Sequence, residues 1–363
     1  MEETYPTISV ITPTLNAGSV LEAELKSIRE QDYPQEKVEI IIADGGSTDT
    51  TLKIAKKYGA KVYFNPLKTG EAGKAVAVKK AMNELIALID SDNILPQKDW
   101  FKKMVEPFLN TEIVGSEPWE YTYRKEGGFI ERYCSLIGMN DPIVMFYGNY
   151  DRINTLTGKW TEVSLKQIDR GNWIEVLLEK GKEIPTIGAN GTLFRSEFLK
   201  KALLPPVILS RAQLDEGSTS NRSTDYLFDI DVLVAEIKKR NKIKFAKIKV
   251  GIIHTFCESS ISKFYRKQKR RVLDYFYYKS IGVRSVNWES DASKKLSILR
   301  FSLYTLLVIP AVIDSIRGLM KKRDIAWFFH PLACGITLYF YSTGVISNKL
   351  WGAKELSRKS WKQ

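Results

Sequence analysis

The sequence predicts an α/β protein built on a doubly wound, mainly parallel sheet. Apolar segments of strand length alternate with amphipathic segments between residues 8 and 89. That alternation is typical of parallel strands joined by right-handed helical crossovers. The last of these segments, 85–89, is apolar on both faces, as expected for a strand that helices cover on both sides. It ends abruptly in polar residues, so the sequence predicts the ligand-binding edge of the sheet together with the fold.

The elements of this pattern follow one another with recognisable ends. Pro13 stops the first strand, Ser19 is a suitable N-cap for the first helix, and Gly59 ends the second helix. The strands are predicted at 8–12, 38–43, 61–64 and 85–89, and the helices at 20–31, 50–58 and 73–83.

Composition narrows the classes of partner. The 363 residues carry a formal net charge of +13, with basic clusters around 263–271, 294–300 and 317–323. This balance favours anionic partners such as phosphorylated substrates or membrane lipids. Zinc-finger spacing and aromatic RNA-binding signatures are missing, so we expect no nucleic-acid partner. Three widely spaced cysteines argue against a disulfide framework, and a polar start without a signal peptide predicts a cytoplasmic catalytic domain.

Two aspartates, Asp90 and Asp92, follow the 85–89 strand and flank Ser91. They extend to the same side if the chain stays extended, and close carboxylates repel unless a cation lies between them. Hard divalent ions prefer oxygen ligands, so Mg²⁺ or Mn²⁺ holding a diphosphate is one interpretation. A solvated turn is the alternative, because Asp-Ser-Asp-Asn is also good turn chemistry.

Two further loops carry candidate ligand groups. Asp44 lies at the end of the second strand, where a carboxylate can accept hydrogen bonds from a nucleobase or a ribose hydroxyl. The segment 70–74, with Gly73 and Lys74, could present backbone N–H groups and an ammonium to a phosphate. It lacks the spacing of a nucleotide P-loop.

Taken together, the segments 8–16, 44–49, 73–75 and 90–92 resemble a family 2 glycosyltransferase with the GT-A fold, over about residues 6 to 275. The resemblance implies a nucleotide-sugar donor near the strand ends and a DxD pair, Asp90 and Asp92, that binds a divalent cation. The donor-binding residues it implies in this half are Pro13, Thr14, Asn16, Asp44, Gly73, Lys74, Asp90, Ser91 and Asp92.

The resemblance extends to four later positions. Asn190, in a Gly-Ala-Asn-Gly segment, would contact the sugar, although this segment could be a hairpin turn. Asp229 would be the catalytic base, with Asp225 as the alternative, while either could simply be a helix-capping residue. His254 could complete the metal shell or be a hydrogen-bonded core histidine. Gln268 and Arg271 are similar to the Gln-x-x-Arg-Trp element of membrane-bound members, which implies that they border the donor and the acceptor, but Val272 replaces the tryptophan.

The rest of the chain concerns the acceptor and the membrane. The sequence predicts a catalytic domain over 1–280, with a nucleotide half (6–115) and an acceptor half (116–280), followed by membrane-associated helices and a basic tail over 281–363. Two apolar stretches, 297–319 and 325–347, only just reach the length that spanning requires, so either a spanning pair or a re-entrant hairpin fits. Seven aromatic residues could build an acceptor cleft: Tyr121, Tyr123, Tyr133, Tyr147, Tyr150, Trp160 and Trp173.

The resemblance, together with the apolar stretches, implies an inverting glycosyltransferase that uses a UDP-sugar and a polyprenyl-phosphate or lipid-linked saccharide acceptor at a membrane. A processive polysaccharide synthase and a catalytically silent scaffold protein of the same fold are the alternatives.

Overall fold

The structure, a computed structural model, describes residues 5–188, 190–203, 225–284 and 292–354. The tail beyond 354, which includes much of the predicted basic tail, lies outside these residues. The strands are β1 Ile8–Thr14, β2 Val38–Asp44, β3 Lys61–Phe64, β4 Leu85–Leu88, β5 Asn93–Ile94, β6 Ile113–Tyr121, β7 Lys166–Asp169, β8 Trp173–Glu179, β9 Thr192–Arg195 and β10 Lys242–His254. The helices are α1 Leu21–Arg29, α2 Thr51–Lys57, α3 Gly70–Lys80, α4 Trp100–Val105, α5 Phe129–Ile137, α6 Ile143–Tyr147, α7 Ser196–Leu203, α8 Asp229–Arg240, α9 Ile261–Ser280, α10 Ala292–Leu307, α11 Ile309–Lys321 and α12 His330–Trp351. Short 3₁₀ helices lie at Gln35–Lys37, Glu106–Leu109 and Ile325–Phe329.

One sheet runs through the described residues in the order β3-β2-β1-β4-β9-β6-β10-β8-β7. Its first four strands are parallel, as predicted. From β4 onward the sheet is mixed, because β9 is antiparallel to both of its neighbours while β6 and β10 are parallel to each other. The ends of β1, β2 and β4 therefore meet at one edge, and β9 and β6 continue that edge beyond β4.

A hydrophobic core covers each face of the sheet. Along β1, Ile8 and Val10 pack with α1 and α4, while Ile11 belongs to the opposite core with α3, α7 and α8. This alternation follows from the two-residue period of a strand. The doubly wound α/β architecture is confirmed, with helix starts and ends within about three residues of those predicted.

The C-terminal helices pack on a third core. Trp327 and Phe329, from the 3₁₀ helix before α12, are buried with Tyr133 of α5 and Phe264 of α9. Part of the stretch predicted at 325–347 is thus interior, and α12 runs along α9. Only one side of this stretch is left to face outward.

The predicted membrane hairpin is not confirmed. Within the described residues no single helix has the length and apolar character that crossing a membrane requires; one bent pair, Ser293–Leu307 and Ile309–Lys321, meets that test jointly, with an 87° bend. The bend lies at Val308, whose φ is 59°, directly before the Ile309-Pro310 start of α11. Proline cannot donate the next helical hydrogen bond, and an L residue with positive φ breaks the helix.

We expect Trp327→Ala to destabilise the protein by about 3–5 kcal/mol, because it removes a fully buried indole from the third core. Trp351→Ala is the matched control, since that side chain is 67% exposed and its loss should change the free energy of unfolding by less than about 0.5 kcal/mol. Urea unfolding followed by circular dichroism measures both. Equal stabilities of the two variants would contradict the docking of this segment on α5.

Candidate active site

A cleft of about 660 Å³ opens at the edge where the parallel strands end. Asp90, Ser91 and Asp92 lie on its wall directly after β4, as the sequence predicts. Pro13 and Thr14 from β1 line the neighbouring wall, and Asn190 and His254 lie on the same cleft from the antiparallel half. The sheet thus brings together, in one space, residues that are far apart in the chain.

Asp92 is held by two cationic or ionisable groups. Its Oδ2 lies 3.1 Å from the Lys267 ammonium of α9, and its Oδ1 lies 3.4 Å from His254 Nε2. Burial raises the pKa of the Asp92 carboxyl, but Lys267 and His254 outweigh it and hold the pKa well below its usual range. Asp92 is therefore a carboxylate at neutral pH, which is the state that a cation requires of its ligand.

The donor atoms suit a divalent cation. Carboxylate oxygens from Asp90 and Asp92 and an imidazole nitrogen from His254 line one cleft, and these atom types bind Mn²⁺ or Mg²⁺. Among the residues that the structure describes, no group of three or more His, Cys, Asp or Glu side chains converges on one point. Mg²⁺ sites at diphosphates commonly take one or two carboxylates, with phosphate oxygens and water as the other ligands.

The predicted base, Asp229, is the first residue of α8 and is paired with Lys74. Its Oδ2 lies 2.9 Å from the Lys74 ammonium, and both side chains are about nine-tenths buried. Burial raises the pKa of Asp229, and the neighbouring charge of Asp90 adds to the rise, although Lys74 opposes it. Asp229 Oδ1 is buried without a hydrogen-bond partner in the described residues. Lys74 lies on the cleft surface and Asp229 behind it, whereas Asp225 is exposed outside the cleft.

The other predicted nucleotide residues are mostly engaged in their own loops. Asp44 Oδ2 accepts from the N–H groups of Gly46 and Ser47, and its Oδ1 accepts from Thr14 Oγ1 at 2.8 Å. Asn16 Oδ1 accepts from the N–H of Thr48 at 2.9 Å. These contacts fix the turn after β2, and the nucleotide roles of both residues stay predictions.

Gly73 lets α3 pack closely on β1, and it does not offer a free backbone N–H to a phosphate. Helix α3 starts at Gly70, capped by Thr69, and therefore three residues earlier than predicted. A Cβ on Gly73 would lie 2.7 Å from Pro13 Cβ, so glycine lets α3 lie directly against the end of β1. Gly73 has a packing role here, whereas Gly70, Glu71 and Lys74 of the same segment line the cleft.

Gln268 and Arg271 hold a loop of the acceptor half. Gln268 is fully buried and donates to the carbonyl of Asn140 at 2.9 Å, and Arg271 pairs with Asp141 at 3.1 Å. Arg271 lines the cleft. The pair thus positions the 140–141 loop, and that loop borders the cleft beside His254.

Sequence reasoning missed several residues of this cleft. Lys267 was not singled out, although it lies on one turn of α9 with Gln268 and Arg271, and that spacing could have indicated a shared face. Asn149 and Asp151 had no signal, because they come from an irregular segment without periodicity. Of the seven aromatic residues proposed for an acceptor cleft, only Tyr121 and Tyr147 line it; Tyr133, Tyr150, Trp160 and Trp173 are buried, and Tyr123 bonds to Asp324.

The described residues have the GT-A-type α/β fold with a mixed sheet, the fold class of many glycosyltransferases. Residues 9–138 match the family model described as Glycosyl transferase family 2 and are a domain of that family. This segment contains β1 to β4, the Asp90–Asp92 pair and the helices that support them.

Known proteins with similar sequences or structures agree with this class. The chain is 28% identical over 147 residues to "Glycosyltransferase AglE" of Haloferax volcanii, covering 38% of this chain and 48% of that protein. It is 33% identical over 108 residues to a Methanococcus voltae protein named "Dolichyl N-acetyl-alpha-D-glucosaminyl phosphate 3-beta-D-2,3-diacetamido-2,3-dideoxy-beta-D-glucuronosyltransferase", covering 28% of this chain and 33% of that protein. The matches thus span less than half of either relative. A solved mannosyltransferase from Pyrobaculum calidifontis, in complex with GDP-Man and Mn²⁺, shares the fold with a TM-score of 0.51, 13% identity and coverage of 97% of this chain and 89% of that one.

We expect Asp92→Asn to weaken Mn²⁺ binding in the presence of UDP by at least about tenfold, since changes even beside metal ligands have effects of that size. Free Mn²⁺ measured by electron paramagnetic resonance reports the binding. Asp169→Asn is the matched control and should bind Mn²⁺ as wild type does. Asp169 lies on the β7–β8 hairpin and is an exposed carboxylate paired with Lys249 of β10. Unchanged Mn²⁺ affinity in Asp92→Asn would remove Asp92 from the metal site.

Proposed function

We propose that this protein is an inverting glycosyltransferase that moves a sugar from a UDP-sugar to a lipid-linked acceptor at the cytoplasmic face of a membrane. The observation that carries the proposal is a single cleft that joins the Asp90–Asp92 pair to the outward-facing apolar helices. Ile298 of α10 and Val345 of α12 line the same cleft as the two aspartates. A substrate with a charged head and an apolar tail fits such a path.

The donor would bind with its nucleotide toward β1 and β2 and its diphosphate at the end of β4. Pro13 and Thr14 line the first part, and the cations Lys68 and Lys74 lie on the wall beside them. Asp44 and Asn16 shape the turn that would receive the base and ribose, through the hydrogen bonds described above. A divalent cation held by Asp90, Asp92 and His254 would supply positive charge to the diphosphate that leaves.

The acceptor would be activated from the opposite side. We assign the proton-accepting role to Asp229, with Asp225 as the alternative. Burial raises the pKa of Asp229, which strengthens it as a base, and its Oδ1 has no partner among the described residues. Because Lys74 covers it, Lys74 would turn toward the diphosphate before Asp229 can reach an acceptor hydroxyl. Attack in line with the leaving group would invert the anomeric configuration.

The C-terminal helices support a lipid-linked acceptor. Most of the exposed large apolar side chains in the described residues lie between 296 and 351. Leu306, Leu307 and Ile309, at the bend between α10 and α11, are all more than 60% exposed. Basic residues adjoin this surface at 321–323 and at Lys349 and Lys354. An apolar surface with basic neighbours suits anionic lipid headgroups.

We expect the protein to release a nucleoside diphosphate when it is given a membrane-extracted lipid acceptor and one donor from a panel of UDP-glucose, UDP-N-acetylglucosamine and GDP-mannose. Asp229→Asn should lower kcat by about 10²–10⁴-fold, the range typical of general-base groups. Asp92→Asn should also lower kcat, because it removes a ligand of the cation that would stabilise the leaving diphosphate. Asp92→Asn alone should also weaken nucleotide binding. Asp225→Asn tests the alternative base, and Asp169→Asn, an exposed carboxylate on the β7–β8 hairpin, is the matched control.

The products of this assay separate the alternatives. Addition of a single sugar supports the proposal, and formation of a polymer supports a processive synthase. If no donor yields a nucleoside diphosphate, the result supports a silent scaffold protein. A fully active Asp229→Asn would move the base to Asp225 or remove it.

We expect the protein to float with vesicles of phosphatidylglycerol and phosphatidylcholine, and Leu306→Glu with Ile309→Glu to reduce the bound fraction more than tenfold. Each apolar side chain that enters a membrane contributes roughly 1.5–3 kcal/mol to the free energy of binding, and a carboxylate at the same position opposes binding to an anionic membrane. Met82→Glu with Leu109→Glu is the matched control, because both side chains are more than 80% exposed and lie on the sheet domain. Equal flotation of the two double variants would contradict binding through the bend.

A further inference from the structure

One end of the cleft contains polar groups that the donor scheme above does not use. Asn149, Asp151, Thr186 and Tyr121 line it together with Asn190. Glu117 of β6 and the Gly188 segment before β9 hold this end, since Gly188 N–H donates to Glu117 at 2.9 Å. In the sheet order β9 and β6 lie beyond β4, on the side away from β1 and β2. A ligand here would therefore lie past the diphosphate, away from the nucleotide.

This end is continuous with the metal-site residues. The rings of His254 and Tyr121 are 5.3 Å apart, and the Tyr121 hydroxyl accepts from Asn190 Nδ2 at 3.1 Å. Arg152, in turn, donates to the Asn190 carbonyl at 3.0 Å and to Asp151 Oδ2 at 2.6 Å. A few side-chain contacts thus connect Asp92 with Asp151.

Asn149 is the clearest sign of a ligand. Its side chain is 1% exposed and lines the cleft, yet neither Nδ2 nor Oδ1 has a hydrogen-bond partner among the described residues. A buried amide without partners is unfavourable, and such groups in native proteins call for an explanation. A bound molecule with both a donor and an acceptor, such as a hydroxyl-bearing ring, would satisfy both atoms.

Asp151 adds an acceptor-only group beside it. Its carboxylate lines the cleft, with Oδ2 on Arg152 and Oδ1 within 3.5 Å of the Thr186 hydroxyl. Arg152 and Lys247 are both buried and pair with Glu117, at 3.0 and 2.7 Å. The two cations balance Glu117 and Asp151, so no net positive charge is left here for a phosphate. Burial raises the pKa of Asp151 to about 6, which leaves it mainly ionised at neutral pH.

We infer that Asn149 and Asp151 form a sugar-ring subsite, in which the amide and the carboxylate bind hydroxyl groups of a ring placed beyond the diphosphate. The inference rests on the proposed function. The aromatic rings of Tyr121 and Tyr147 on the same cleft provide apolar faces that suit a pyranose. The ring comes either from the donor, as the sugar to be transferred, or from the acceptor, as the first sugar of a lipid-linked saccharide.

The test uses the full-length protein with Asn149→Ala and Asp151→Asn. Asn149→Ala is the sharper variant, because it removes two unpartnered polar atoms and should leave the melting temperature unchanged or raised. Asn172→Ala and Asp169→Asn, both at the exposed β7–β8 hairpin, are matched controls. Calorimetry with UDP and with the sugar nucleotide that wild type turns over gives the donor arm. Steady-state kinetics with polyprenyl-diphosphate-linked N-acetylglucosamine, against bare polyprenyl phosphate of the same chain length, gives the acceptor arm.

Two results support the subsite and identify its ring. If the variants bind the sugar nucleotide tenfold more weakly and bind UDP with unchanged affinity, the subsite holds the donor sugar. A tenfold higher KM for the lipid-linked sugar, with donor affinity and the KM for bare polyprenyl phosphate unchanged, places the acceptor sugar there.

Two results overturn it. One is that both variants stay within twofold of wild type in both arms. The other is that the affinities for UDP and for the sugar nucleotide fall by the same factor, which indicates a structural role. Absence of nucleotide release by wild type is a separate result, since it overturns the proposed function.

Discussion

The concentration of negative charge after β4 is the constraint on which the rest of the site depends. Asp90 and Asp92 follow a fully buried strand, where unbalanced carboxylates are unfavourable. Lys267 comes from α9 to balance Asp92, and Lys74 of α3 lies close enough to Asp90 for that carboxylate to raise the lysine's pKa. Burial opposes this rise, but Asp229 and Asp90 outweigh it. The helices that supply these cations also form the walls of the cleft, so charge balance and cleft shape have the same origin.

The parallel half of the fold was predictable because its information is local. Each strand from β1 to β4 is a mainly apolar run with a recognisable stop, and the residues at the stops of β1 and β4 line the cleft. The antiparallel continuation was not predictable in the same way. Strand β9 has four residues and inserts between β4 and β6, and pairing of that kind depends on tertiary context rather than on periodicity.

The same distinction between local and tertiary information applies to the residues of the candidate site. Asp90, Asp92 and His254 could be anticipated from strand ends and from the family resemblance. The ion pair between Lys74 and Asp229 joins residues 155 positions apart, and the pair between Lys267 and Asp92 joins residues 175 apart. No local pattern encodes contacts of that range. The apolar stretch 325–347 was open to two interpretations for a related reason, because composition alone does not distinguish a helix packed against protein from one packed against lipid.

Helix α9 connects the outer helices to the chemistry. One of its faces carries Lys267 and Arg271, which contact Asp92 and the 140–141 loop. Another packs Val272 against Gly344 of α12, so closely that a Cβ on Gly344 would collide with Val272. The C-terminal segment is therefore not an interchangeable module. Replacing the segment after α9 would remove the partner of Val272 on the same helix that places Lys267 on Asp92, so a change in the outer helices would also reach the cleft.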